Sequence, residues 1–135
     1  MSWGKWKELY PDSEVLNLDT GHKRDYQNLP YQEYFQNDQT IFPYPKHRSE
    51  LPAKSWVAGV NMGGINKAYP LHNLATGQWL GDTIGDWSVK FRYEPENKDF
   101  QIVDSLGNRL PSVQAYWFAW QAFNPDTLIW EGQGQ

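Results

Sequence analysis

Apolar residues recur at short, well-defined spacings in some parts of the chain and at none in others, and this contrast sets the expected elements. Trp3, Trp6 and Leu9 stand three apart, one face of a short helix that Tyr10-Pro11 closes. Asp12-Ser13 opens a turn, and Glu14 to Leu18 reads as a short extended piece. From Asp19 to Leu51 no period is sustained, although Tyr26, Tyr31, Tyr34, Phe35, Ile41, Phe42 and Tyr44 are scattered among Pro30, Pro43 and Pro45. A stretch of that length is unusual inside a compact domain, so this arm must pack its rings onto something or carry a role. One helical turn is expected in it, near Pro30 to Phe35.

At Trp56 the pattern becomes strand-like. WVAGVN, Gly63-Gly64 and INKAYP predict a hairpin with a two-glycine turn. Leu71 to Ala75 is expected to be a short helical turn or loop, Gln78 to Leu80 a brief strand and Gly81 to Gly85 another turn. Trp87, Val89, Phe91 and Tyr93 alternate with Ser88, Lys90 and Arg92, the pattern of a half-buried strand, and Phe100 and Ile102 share one face of a strand over 99–103. Asp104 to Asn108 turns the chain. Pro111 and Ser112, the latter as N-cap, predict a helix running to Phe123 with a stripe of Tyr116, Trp117, Trp120 and Phe123. Asn124-Pro125 ends it before an extended segment, Asp126 to Trp130. The expected organisation is one domain: helix and strand over 3–18, irregular aromatic arm over 19–55, antiparallel sheet over 56–110, helix and strand over 111–130, and a polar tail over 131–135. Its class is α+β, mostly β: a small antiparallel sheet or partly open barrel of four to six strands, with short tryptophan-rich helices at both ends.

Composition adds that 16% of the 135 residues are aromatic, with 8 Trp, 8 Tyr and 6 Phe, so the chain has large rigid groups to bury and does not read as disordered. Twelve basic residues against sixteen acidic ones, without a basic run, imply no nucleic-acid partner. No segment approaches the roughly twenty apolar residues of a membrane span, and MSWGKWKELYP lacks the basic and apolar regions of a signal peptide, so a soluble chain of open compartment is expected. The absence of Cys excludes disulfides, thiolate catalysis and cysteine-ligated metals.

The two ends of the chain echo each other. Trp3, Trp6, Pro11 and Asp12 fall on Trp117, Trp120, Pro125 and Asp126 at a constant offset, and Leu9, Ser13 and Val15 match Phe123, Thr127 and Ile129 in character. Both ends are either structural clasps packing on similar sites of a sheet, or signs that the chain is one period of a repeating architecture. The echo makes Trp3, Trp6, Trp117 and Trp120 the expected interface residues, with self-association or a related repeat domain as partner.

The runs WKELYPDSEVLNLDTGHKRDYQNLPYQEYF, FPYPKHRSELPAKSWVAGVNMGGINKAYPLHNL and GDTIG resemble the C-terminal half of the bacterial and archaeal domain-of-unknown-function family numbered 3179, and WFAWQAFNPDTLIW resembles that family's ending. The resemblance implies tandem duplications in which a strand hairpin, an AYPL-like element and an NDT-G-like turn occur twice. Here Ala68-Tyr69-Pro70-Leu71 and Gly81-Asp82-Thr83-Ile84-Gly85 occur once. A cysteine motif of the YCPLCG kind marks the family's first half and is missing from this chain, which points to a binding or structural role, or to a partner that supplies the missing half.

Candidate chemistry is thin. Asp19, Arg24, Tyr26 and Tyr31 lie in the densest polar stretch, where Arg24 could clamp a carboxylate or phosphate and Asp19 could orient it; the same groups could equally staple the arm to the sheet. His72 beside Tyr69 could act as an acid–base group in a cleft or simply pack in a turn. A site of His22, His47 and His72 has no metal-ligand spacing behind it, so no metal or other cofactor is expected. Asp82 and Asp86 could bind a cation or cap a turn. Tyr26, Tyr31, Tyr34 and Tyr44 with Trp79 and Trp87 could line a stacking groove or fill the core. Two functions stay open: a noncatalytic interaction or structural module, and an enzymatic or small-ligand domain built on Asp19, Arg24, Tyr26 and His72. Convergence of those four side chains in one cleft favours the second.

Overall fold

The computed structural model describes residues 1–28, 30–40, 43, 48–74 and 77–132. In chain order the elements are α1 (Trp3–Leu9), α2 (Gln32–Gln36), β1 (Trp56–Met62), β2 (Ile65–Pro70), β3 (Leu80–Ile84), β4 (Trp87–Glu94), β5 (Asp99–Val103), β6 (Val113–Tyr116), α3 (Trp117–Phe123) and β7 (Leu128–Ile129). Single turns of 3-10 helix cover Leu71–Asn73 and Pro95–Asn97.

β1 is apolar along nearly its whole length because it is covered on both faces. It pairs antiparallel with β2 through Gly63-Gly64, whose φ values of +58° and +82° are the left-handed pair that a two-residue hairpin turn requires. β6 adds antiparallel to the free edge of β1 and β7 adds parallel to β2, giving a sheet in the order β6-β1-β2-β7. A second, antiparallel sheet has the order β3-β4-β5. The main core joins residues of both sheets: Ala58, Val60 and Tyr69 from the first with Ile84, Val89, Phe91, Phe100 and Ile102 from the second, and Trp130 beside them. The sheets do not close into a barrel, and the mostly β class stands.

A polar tie joins the sheets at their rim. Tyr69, fully buried, donates its hydroxyl proton to Asp82 Oδ2 at 2.8 Å, and Lys67 Nζ lies 2.6 Å from the same oxygen. Burial first, and then the hydrogen bond and charge of Asp82, raise the Tyr69 phenol above its ordinary value of 10.0. A group whose native value is raised stabilises the fold fully below its unfolded value and loses that contribution as pH rises toward the native one. Stability is therefore expected to fall by about 1.4 kcal/mol per pH unit above pH 10.0 from this residue, and Tyr69→Phe should remove that part of the slope in denaturant titrations across alkaline pH.

The opposite face of the first sheet carries the C-terminal helix. Trp117, fully buried, packs on Val57 and Ala68 with Leu51, Trp120 and Ile129 around it. The Trp117 indole donates to Arg48 O at 3.1 Å, Arg48 Nη1 donates to Thr127 O at 2.6 Å, and the Arg48 guanidinium lies 5.3 Å from the Trp117 ring centre. Backbone bonds from Trp117 N to Ser55 O and from Phe118 N to Ala53 O tie residues 48–55 over the same helix.

Several expectations need correction. Gly81 to Ile84 is strand, not turn, because β3 pairs with β4 from Leu80↔Phe91 to Ile84↔Trp87. The C-terminal helix starts at Trp117, not near Ser112: Val113 to Tyr116 extends and pairs with Trp56 to Gly59, so the N-cap position belongs to Tyr116. Glu14 to Leu18 is irregular and, among the described residues, pairs with no strand. The helical turn expected in the arm is α2, held where the Lys54 ammonium meets the carbonyls of Tyr34 and Asn37.

Candidate functional site

Polar residues at the hairpin between β4 and β5 build one connected network. The register sets Arg92 opposite Gln101 and Glu94 opposite Asp99. Asp99 is buried; it accepts from Gln101 Nε2 at 2.6 Å and from Arg109 Nη2 at 3.2 Å. Gln101 Oε1 in turn accepts from Arg92 Nε and Nη2 at 3.2 and 3.1 Å, and Arg92 pairs with Glu94 at 3.0 Å while stacking 4.9 Å from the Trp79 ring centre. A buried carboxylate is tolerated here because a cation and an amide satisfy it.

Two members of this network, Asp99 and Arg109, line a cavity of about 1080 Å³. Trp56, Tyr93, Leu71 and Phe100 give it apolar surface, while His72, Lys98, Arg109 and Gln114 supply polar groups and Trp6 of α1 stands at its edge. Trp56 is kept half-exposed by β1–β6 pairing, which sets it against Tyr116 with ring centres 4.6 Å apart. Burial raises the Tyr93 phenol above its ordinary value. Among the described residues, Asp99 is the one carboxylate lining the cavity, against Lys98 and Arg109, so their balance of charge is cationic in a chain whose net charge is −4. A second hollow, of about 710 Å³, lies by Trp79, Lys90 and Asp104; its carboxylates are engaged already, Asp82 in the sheet tie and Asp104 by the amides of Leu106 and Asn108.

The sequence-derived site residues divide. His72, exposed on its turn, lines the cavity; Asp19, Arg24, Tyr26 and Tyr31 do not. Those four are exposed in the arm, where Tyr26 shares a hydrogen bond of 2.6 Å with Thr20, and Asp19 and Arg24 form no ion pair with each other. Tyr31 has a left-handed backbone, φ 69°, at the start of α2. Of the histidines, His22 is exposed and His47 lies outside the described residues, as does Tyr44; no cluster able to hold a metal occurs among the described residues. Trp117 and Trp120 pack against the first sheet, whereas Trp3 and Trp6 stay about half-exposed. Trp56, Tyr93, Asp99 and Arg109 were missed. The Arg92/Gln101 and Glu94/Asp99 cross-strand pairs could have been read from the hairpin register, but Arg109 arrives only through an isolated bridge to Val103.

Fold and cavity together define an aromatic-rich β domain of two facing sheets with a cationic, aromatic-walled cleft. A family model described as "Protein of unknown function (DUF3179)" matches residues 1–106, and the chain belongs to that family. The match carries the resemblance read in the arm, the hairpin and the GDTIG segment, while residues 117–130 lie beyond it. No curated protein and no solved structure matches the chain. Among the described residues, no helix is long and apolar enough to cross a membrane.

Proposed function

We propose that the chain is a noncatalytic binding module whose ligand site is the cleft between Trp56, Tyr93 and Arg109. The observation that carries this reading is the pairing, in one cleft, of aromatic walls with a guanidinium. One donor of Arg109 is fixed by the buried Asp99, and its other donors have no partner among the described residues. Such a cleft suits an anionic group borne on an apolar body, as an acidic and aromatic segment of a partner protein would offer. Charged groups elsewhere serve the fold: Asp82 ties the sheets, Arg48 holds the C-terminal helix and Lys54 holds α2. That distribution supports recognition over chemistry. The enzymatic reading built on Asp19, Arg24, Tyr26 and His72 draws no support from the cleft, which only His72 of the four lines.

Phenylacetate and phenylacetamide have nearly the same shape and differ in charge, so they test the reading directly. Phenylacetate is expected to quench tryptophan fluorescence saturably, with weaker binding at high salt, and phenylacetamide to bind at least about tenfold more weakly. Arg109→Gln should remove the discrimination and Trp56→Ala the binding. Equal affinity for the two probes, or none for either, overturns the proposal.

A further inference from the structure

The two ends of the chain share more than a sequence echo. α1 and α3 are each seven residues long and end in nearly the same backbone conformation, φ −134° and ψ 71° at Tyr10 against φ −130° and ψ 69° at Asn124. Tyr10 N donates to Trp6 O at 2.8 Å, and Asn124 N to Trp120 O at 2.9 Å. Ser13 N then reaches Tyr10 O at 3.2 Å, as Thr127 N reaches Asn124 O at 3.0 Å. The indole of Trp6 donates to Ser13 Oγ at 2.8 Å, and that of Trp120 to Thr127 Oγ1 at 2.9 Å. Each end is thus the same preformed unit, a helix locked to the start of an extended segment by a tryptophan–hydroxyl bond.

What differs is the surface beneath. The C-terminal unit lies on the β1–β2 hairpin: Trp117 is 0% exposed on Val57 and Ala68, Trp120 lies over Gly59, and the following residues pair with β2 as Lys67↔Leu128 and Ala68↔Ile129, leaving Trp130 8% exposed in the core. At the same positions of the N-terminal unit, Trp3 is 49% and Leu16 93% exposed, and Val15 is exposed as well. The helix α1 buries none of its residues; Ser2 fastens its start to the body, its N donating to Asn97 O at 2.7 Å and its hydroxyl to Asn97 Oδ1 at 3.5 Å, and Trp6 lines the cleft. An apolar face of this kind, already folded but without a seat, is unusual on an isolated chain.

We infer that residues Ser2–Leu16 are a docking clasp that seats on the β1–β2 hairpin of a second copy of this domain. In that seat Trp3 takes the position of Trp117, Trp6 covers the floor at Gly59, and Glu14 to Leu16 run parallel to the edge of β2. The occupant is specified by the chain itself, because the C-terminal unit shows which surface this local structure fits, down to strand register. Strand addition supplies backbone bonds and the indoles supply apolar contact. One seat holds one clasp, so docking between copies displaces the resident C-terminal unit, and whatever loosens that unit favours docking. The inference does not rest on the ligand cleft, which Trp3 and Leu16 do not line, but docking would carry Trp6 away from it.

Sedimentation velocity on the full chain tests this through opposite signs. Trp120→Ala, which frees the seat, is expected to raise self-association, and adding Trp3→Ala or Leu16→Asp to it should weaken that association about tenfold or more. A Trp120→Ala chain that keeps its far-UV circular dichroism yet stays monomeric at about 100 μM overturns the inference, as does association indifferent to Trp3→Ala. Should Trp120→Ala lose its fold, Leu16→Trp serves instead, since it changes an exposed position and gives the N-terminal unit the counterpart of Trp130. That variant is expected to dimerise through Trp3, and a monomer overturns the inference equally.

Discussion

Truncating Trp117 to alanine is expected to lower the unfolding free energy by about 3–5 kcal/mol, whereas Trp3→Ala should change it by no more than about 0.5 kcal/mol. The two residues occupy the same place in two helices of equal length with matching C-terminal ends, so helix propensity and the C-terminal hydrogen bonds cancel in the comparison. The difference that remains is the seat. Trp117 fills the space between Val57, Ala68 and residues 48–55, and its removal leaves a cavity and orphans the carbonyl of Arg48 that its indole satisfies. Arg48 also loses the ring it covers, so its bonds to the carbonyls of Pro125 and Thr127 lose their lateral support. Urea titrations followed by circular dichroism should show the midpoint falling at an unchanged slope for Trp117→Ala and not moving for Trp3→Ala. Equal losses at both positions would show that α1 has a seat of its own within the chain.

The parts of this fold that were legible in the sequence are those in which local chemistry and tertiary pairing agree. The β1–β2 hairpin announces itself because two glycines supply the turn and the flanking runs are apolar on both faces. β4 and β5 alternate because only one of their faces enters the core, and Val89, Phe91, Phe100 and Ile102 are all buried there. β6 was illegible for the opposite reason. The aromatic period of VQAYWFAWQAF runs unbroken through Tyr116, so nothing local marks the junction; the edge of β1 and the bond from Trp117 N to Ser55 O decide where strand becomes helix. Likewise Gly81-Asp82-Thr83 has turn-forming composition, and only pairing with β4 and the engagement of Asp82 by Tyr69 and Lys67 make it a strand.

The cleft was less legible still. Its residues come from α1, β1, the turn after β2, the β4–β5 hairpin and the segment around Arg109, which no sequence spacing connects. Density of polar residues pointed instead to 19–31, where an exposed arm needs such groups for its own turns: Asp25 accepts from Gln27 N, Asn28 N and Asn28 Nδ2, and those bonds, that of the Asn28 side chain first, hold its carboxyl below the usual aspartate value. Polar concentration in sequence marked a self-satisfied loop, while the aromatic cleft gathered its cations one at a time.

Gly59→Ala is expected to destabilise the chain by about 1–3 kcal/mol although it adds a single methyl group to a strand. An added Cβ would lie 2.2 Å from Cζ3 of Trp120 and 2.3 Å from Cε3, far inside contact distance. The indole cannot simply swing aside, because its nitrogen is held by Thr127 Oγ1 and Thr127 is itself held through its carbonyl by Arg48. Yielding at Trp120 therefore pulls on the segment that carries β7, and the bond from Trp130 N to Ala68 O at 2.8 Å is next in line. Faster hydrogen exchange at the Trp130 amide, beyond what the global loss of stability accounts for, is the expected signature. Gly81→Ala supplies the control: its Cβ meets nothing within 4 Å, and a strand residue with a Cβ loses less chain entropy on folding, so stability should hold or rise by up to about 1 kcal/mol. If Gly59→Ala behaved like Gly81→Ala, the close seating of Trp120 on the hairpin would be wrong, and with it the docking surface for the N-terminal clasp.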